Sequence, residues 1–168
     1  MSARSSVLAM AIAGCALVTA PVVAPPGKRL VLNTTASAPL GFYWLRDGAV
    51  SVGDLALVRP PRPLARWMAV RGYLPLNVPL IKRVAAKGGQ SVCVRDAVVS
   101  LDGRPIAGVL QRDRQGRPLA ASSICRRLGP DEVFLLNAEA RSLDGRYFGP
   151  LPRHCVVGRL TPVWTWGR

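Results

Sequence analysis

Three stretches of the chain carry side chains that could act together in chemistry. The first is Pro79-Leu-Ile-Lys82-Arg-Val-Ala-Ala86, which runs into a turn at Lys87-Gly88-Gly89. Read as a strand of period 2, it places Leu80, Lys82 and Val84 on one face and Ile81, Arg83 and Ala85 on the other. A lysine among branched aliphatics is poorly solvated, and desolvation lowers its pKa from about 10.4. A lysine amine that is neutral near pH 7–8 is a general base. The second stretch, Thr34-Thr-Ala-Ser37-Ala-Pro-Leu-Gly41, is small, polar and rich in turn formers, and it lies between two predicted strands. Such a loop can present a hydroxyl and backbone N–H groups to a ligand. The third, Asn137 to Pro152, gathers Ser142, Asp144, Arg146, Tyr147 and Phe148 directly after a strongly apolar run.

These stretches need a scaffold, and the composition points to a β-rich one. The 168 residues include 15 prolines and 16 glycines spread along the chain, which suits many short strands joined by turns. Arg29–Asn33, Phe42–Leu45, Gly53–Val58, Glu132–Leu136, Cys155–Leu160 and Pro162–Trp166 read as strands. Ser91–Leu101 reads as a hairpin, with Asp102-Gly103 as a second turn. Leu64, Trp67, Met68 and Val70 have helical spacing, so a short helix is expected from Leu64 to Tyr73, ended near Gly72. Gln111–Pro118 reads as a solvated, charged loop. The expected fold class is mainly β, with antiparallel strands and one or two short helices.

The N-terminus differs from the rest. Val7 to Pro26 carries no charge and is just long enough for about 20 residues of hydrocarbon, although Pro21, Pro25 and Pro26 interrupt it. Residues 1–27 are therefore read as a membrane anchor or signal segment, and residues 28–168 as an exported domain. Export permits disulfides. Cys93 and Cys125 bracket the hairpin region and are the expected pair, with Cys15 and Cys155 left over. No Cys-x-x-Cys or histidine cluster suggests a metal site, and no cofactor is implied. The net charge of +14 fits a domain beside anionic membrane lipid. The arginines are scattered and accompany no nucleic-acid-binding signature, so nucleic acid is not an expected partner.

The order of these features resembles that of the signal-peptidase (S26) clan of membrane serine peptidases. The wording is closer still to the TraF-type peptidases of conjugative transfer. The resemblance rests on Asn33-Thr-Thr-Ala-Ser37-Ala-Pro39-Leu-Gly41-Phe-Tyr43, on Arg71-Gly-Tyr-Leu-Pro-Leu-Asn-Val-Pro-Leu-Ile-Lys82-Arg-Val, and on Ser142-Leu-Asp144-Gly-Arg146-Tyr-Phe-Gly-Pro150. It implies a signal-peptidase-type catalytic domain with a Ser/Lys dyad, Ser37 as nucleophile and Lys82 as base. It further implies oxyanion donors at the Ser37 N–H and the Thr35 hydroxyl, a Ser142 hydroxyl that orients the amine, and an Asp144–Arg146 pair that holds the turn. The implied substrate is an exported precursor polypeptide such as a conjugative pilin. The implied setting is the inner membrane, with the catalytic domain in the periplasm beside the transfer machinery.

Some positions depart from the wider clan. Ala38 follows the nucleophile where general signal peptidases have Met, and Pro39 comes one residue sooner. Gly145 stands where serine is common, a change expected to be mild. A general type I signal peptidase, a non-catalytic assembly subunit and a basic DNA- or lipid-binding accessory remain as alternatives. So do a Ser37–His154–Asp144 triad and a Cys155 nucleophile, since His154 is the one histidine.

Overall fold

The computed structural model describes residues 3–23 and 29–166. A helix, α1 (Ala3–Val23), is followed by β1 (Leu30–Asn33), β2 (Leu40–Arg46) and β3 (Leu55–Val58). Next come α2 (Arg62–Val70), β4 (Leu80–Lys87), β5 (Ser91–Arg95), β6 (Val98–Leu101), β7 (Arg104–Gly108), β8 (Cys125–Arg127) and β9 (Glu132–Leu135). The chain ends with the short helix α3 (Gly145–Phe148), β10 (Leu151–Pro152), a 3₁₀ turn at Arg153–Cys155, and the long β11 (Val156–Trp166). Seven strands form one sheet in the order β1-β2-β11-β3-β4-β9-β10, and four form another in the order β7-β6-β5-β8. All the strand pairings are antiparallel, so the mainly β, antiparallel expectation holds.

β4 is the strand on which the core is divided. Leu80 and Val84 enter one cluster with Val58, Met68, Val133 and Leu135. Ile81, on the opposite face, packs with Tyr43, Leu45, Leu57 and Leu160. Ala86 joins a third cluster with Val92, Val99 and Phe134, after a register shift against β9 between Val84 and Ala86. Because a core cluster packs against each face of β4, residues 80–82 are buried on both faces rather than one. That central position places a lysine inside the sheet.

Turn chemistry accounts for the satellite sheet. Asp96 and Ala97 both have positive φ (51° and 59°), as do Asp102 and Gly103 (48° and 81°). These left-handed pairs match the twist of the strands they join. Cys93 and Cys125 face each other in the β5–β8 register and form a disulfide. Gly41 lies where β2 meets the bulge of β11 between Pro162 and Trp164. Its φ is +141°, and a Cβ there would run into the Trp164 backbone carbonyl, so only glycine lets the two strands close.

One local expectation changes and another gains an anchor. The helix occupies Arg62–Val70 instead of Leu64–Tyr73, because Pro63 is tolerated in its first turn and Gly72 (φ +69°) already turns the chain. The loop at 111–118 is exposed at six of its eight residues, as expected, and is also anchored through Asp113 and Arg117. Asp113 accepts hydrogen bonds from Tyr73 (2.7 Å) and Arg117 (2.6 Å), Arg117 donates to the Arg71 carbonyl (2.9 Å), and Arg71 donates to the Pro118 carbonyl (2.9 Å). Asp113 and Arg117 thus tie the loop to the end of α2, while Arg112 and Arg114 remain exposed. Among the described residues no helix is long and apolar enough to cross a membrane. The expected boundary at residues 27/28 falls within 24–28, outside the described residues.

Candidate active site

The serine loop is built on the Asn33 side chain at the end of β1. Its Nδ2 reaches the carbonyls of Thr35 (3.0 Å), Ala38 (3.0 Å) and Pro39 (2.9 Å). Its Oδ1 accepts from the Thr35 N–H (3.1 Å) and the Thr35 hydroxyl (2.9 Å). The Tyr43 hydroxyl donates to the Pro39 carbonyl (2.6 Å) and fixes the entry into β2. The Asn33 side chain thus satisfies several backbone groups of this short polar loop between β1 and β2 and holds it in one conformation. Ser37 sits on it, half-buried, with its Oγ 3.4 Å from Thr35 Oγ1. The Ser37 N–H has no protein acceptor among the described residues and remains available as a donor. The single Thr35 hydroxyl proton is directed to Asn33, so Thr35 would have to turn from Asn33 to donate to an oxyanion.

Lys82 is 3% exposed, and its Nζ donates to Ser142 Oγ at 2.7 Å. Burial lowers its pKa to about 8; attraction to the Asp144 carboxylate offsets part of this, and the Arg146 guanidinium adds to it. With one donor bond the amine is held in a fixed rotamer while its lone pair stays accessible once it is neutral. No hydrogen bond joins Ser37 and Lys82 to each other among the described residues.

The Ser142 turn rests on a buried ion pair. Asp144 caps α3, accepting from the Arg146 N–H (3.3 Å) and, through its other oxygen, from the Asn137 N–H (3.1 Å). Burial pushes the Asp144 carboxyl up, while Arg146, the Asn137 amide and Lys82 hold it down. Arg146 is 1% exposed, with Nε 3.5 Å from Asp144 Oδ1. Its other nitrogens donate to the carbonyls of Asn137 (2.6 Å), Glu139 (3.1 Å) and Ala140 (2.7 Å). The guanidinium is therefore the template around which residues 137–140 wrap. Gly145 is forced by the same packing. A Cβ there would lie 2.7 Å from the Leu135 carbonyl and from the Phe134 ring, so the serine common in the wider clan does not fit this turn.

The structure thus brings Lys82, Ser142, Asp144 and Arg146 into one buried group and places Ser37 and Thr35 on an adjoining loop. His154 is exposed in the 3₁₀ turn and makes no hydrogen bond to Ser37 or Asp144. Cys155 is buried, and burial raises its thiol pKa, the reverse of what an activated thiolate needs. Two asparagines that motif reasoning gave no role hold the site together. Asn33 shapes the serine loop, and Asn137 bonds both the Ser37 carbonyl (2.7 Å) and β4. The signal available in the sequence was position: each asparagine stands at the end of an apolar strand, just ahead of a functional turn.

Residues 3–166 match the family model described as signal peptidase, peptidase S26. The plasmid transfer protein TraF of Escherichia coli is 34% identical over 164 residues, covering 91% of this chain and 92% of that protein. The conjugal transfer protein TraF of Agrobacterium fabrum is 36% identical over 180 aligned positions, covering 98% of each. A probable signal peptidase I-1 of Synechocystis is 32% identical over 122 residues, covering 70% of this chain and 58% of that one. Among solved structures, a signal peptidase I of Enterococcus faecalis aligns with a TM-score of 0.43 and 20% identity, over 69% of this chain and all of that one.

Proposed function

The chain belongs to the S26 signal-peptidase family, and on that premise we propose that it is a serine endopeptidase that processes an exported precursor with a Ser37/Lys82 dyad. The observation that carries this reading is a lysine inside the sheet whose amine has one partner, Ser142 Oγ at 2.7 Å, and a pKa near 8. In this mechanism neutral Lys82 takes the Ser37 hydroxyl proton as Oγ attacks the scissile carbonyl. The Ser37 N–H stabilises the oxyanion, joined by the Thr35 hydroxyl if it turns from Asn33. The Lys82 ammonium then gives its proton to the leaving amine, and Lys82 activates water to release the acyl group. Ser142 keeps the amine aimed, and the Asp144–Arg146 pair fixes the turn that carries Ser142.

The relatives named for plasmid and conjugal transfer support a role in a transfer apparatus, and the precursor assigned here is of the pilin type. Membrane association is supported by the outer face of β1, β2 and β11. There Leu30 pairs with Trp44, Leu32 with Phe42, and Phe42 with Trp164, leaving Leu30 55% and Trp164 67% exposed. Trp166 makes tilted ring contacts with both Phe42 and Trp164, with centroids 6.0 and 5.6 Å apart. Exposed indoles on a chain of net charge +14 suit an anionic lipid interface, and the Cys93–Cys125 disulfide suits the periplasmic side of an inner membrane.

The test is precursor mass after incubation with the detergent-solubilised protein and with Ser37→Ala and Lys82→Ala variants. Processing by wild type and by neither variant is the expected result. A product lighter than the cleaved chain by one water would identify cyclisation. Unimpaired cutting by the lysine variant would eliminate the dyad. Cleavage of general secretory precursors in preference to pilins would replace the substrate assignment with that of a general signal peptidase.

A further inference from the structure

The serine loop and the lysine strand lie far apart in the chain, and one side chain outside the dyad bonds to both. Asn137 Nδ2 donates to the Ser37 carbonyl at 2.7 Å and to the Ile81 carbonyl at 3.2 Å. Its Oδ1 accepts the Arg83 N–H at 2.9 Å. Ile81 and Arg83 are the residues on either side of Lys82. The Asn137 backbone reaches the third segment, donating N–H to Asp144 (3.1 Å) and accepting from Arg146 (2.6 Å). Asn137 thus touches the nucleophile loop, both neighbours of the base, and the turn that aims the base. It is 4% exposed.

The geometry points to Asn137 as a positioning residue whose neutral carboxamide sets the approach of Ser37 to Lys82. β9 stays paired with β4 only as far as Leu135 opposite Val84, with one further bond from Leu136 N–H to the Arg83 carbonyl (2.9 Å). Beyond that point β4 has lost its neighbour on this edge, and the Asn137 side chain takes the place of a strand, supplying one acceptor and one donor. The second N–H of the same amide is what ties in Ser37. Both donors and the acceptor are used, and in the sense their partners need. A carboxylate of the same shape would set an oxygen against two carbonyls. An apolar side chain would leave two carbonyls and an N–H buried without partners. The amide also adds no charge beside an amine on which Asp144 and Arg146 already act in opposite directions.

This inference rests on the dyad reading above, so its test carries the dyad variants alongside. Asn137→Asp keeps the shape and removes the donors, and Asn137→Ser removes the reach. Each is assayed for kcat and KM on a precursor peptide and for the rate at which a fluorophosphonate labels Ser37, with urea midpoints to establish folding. The expected result is a fall in kcat and in labelling rate of about 100-fold, the scale of an ångström-level misplacement, with KM within about threefold of wild type. Wild-type kcat in either folded variant would overturn the proposal, as would a loss confined to KM. Failure of both variants to fold would also overturn it and leave Asn137 a purely structural residue. Ser37→Ala and Lys82→Ala separate the two readings: if they still process the substrate, the dyad itself is wrong whatever Asn137 does.

Discussion

Replacing Lys82 with methionine should abolish processing and, at neutral pH, make the protein more stable. The base is kept as an ammonium at pH 7 at the expense of burial, since its pKa falls from 10.5 unfolded to about 8 folded. Those 2.5 pH units (10.5 − 8) correspond to about 3 kcal/mol of destabilisation wherever both states are protonated. Methionine fills similar space without that penalty but leaves the Ser142 hydroxyl without its partner, a loss of about 1 kcal/mol. The net expectation at pH 7 is a variant about 2 kcal/mol more stable than wild type. Between pH 8 and 10.5 the unfolded chain holds a proton that the folded one has released, so wild-type stability rises with pH across that window. By pH 10 the residual ammonium penalty is below about 1 kcal/mol, and the advantage of the variant should vanish or reverse. Urea denaturation of both proteins at pH 7 and pH 10 measures this, because every other titrating group is common to the two. A variant less stable at pH 7, or a difference that does not change with pH, would refute a lysine whose pKa is lowered by burial.

On the dyad proposal the same titration governs the rate. With a pKa near 8 the neutral amine grows from about one-tenth of molecules at pH 7 to about nine-tenths at pH 9, so kcat/KM should rise about tenfold and then level. An unperturbed lysine would instead give a rise of about 100-fold over that interval with no plateau. The Cys93–Cys125 bridge closes a loop of 32 residues, so changing both cysteines to serine should lower stability by about 3–4 kcal/mol in the chain-entropy account. A urea midpoint unchanged by the double substitution and by reductant would remove the bridge from the stability of the domain.

Much of this protein is local and therefore legible in its sequence. The aliphatic alternation around Lys82 marks a strand, Gly72 stops a helix, Asp102-Gly103 makes a hairpin turn, and Cys93 and Cys125 flank one excursion. Each signal depends on propensities or periods that act within a few residues. The exposed, charged loop at 111–118 is legible in the same way, but nothing nearby announces that Asp113 will meet Tyr73, 40 residues earlier.

What only the tertiary structure decided is which distant groups close on one another. Lys82 finds Ser142 across 60 residues, and Asn137 finds Ser37 across 100. These contacts are fixed by sheet register: β4 is flanked by β3 and β9, and β9 parts from β4 two residues short of Lys82, leaving the gap that Asn137 fills. Asparagine at a strand end is an ordinary turn residue by type. Its neutrality and its two donors gain meaning only when carbonyls from a remote loop and a remote strand are brought to within hydrogen-bond distance. Arg146 is the parallel case. The sequence shows a charge in a polar turn, and only the fold buries it beside Asp144, where desolvation makes the pair a fixed frame for the base.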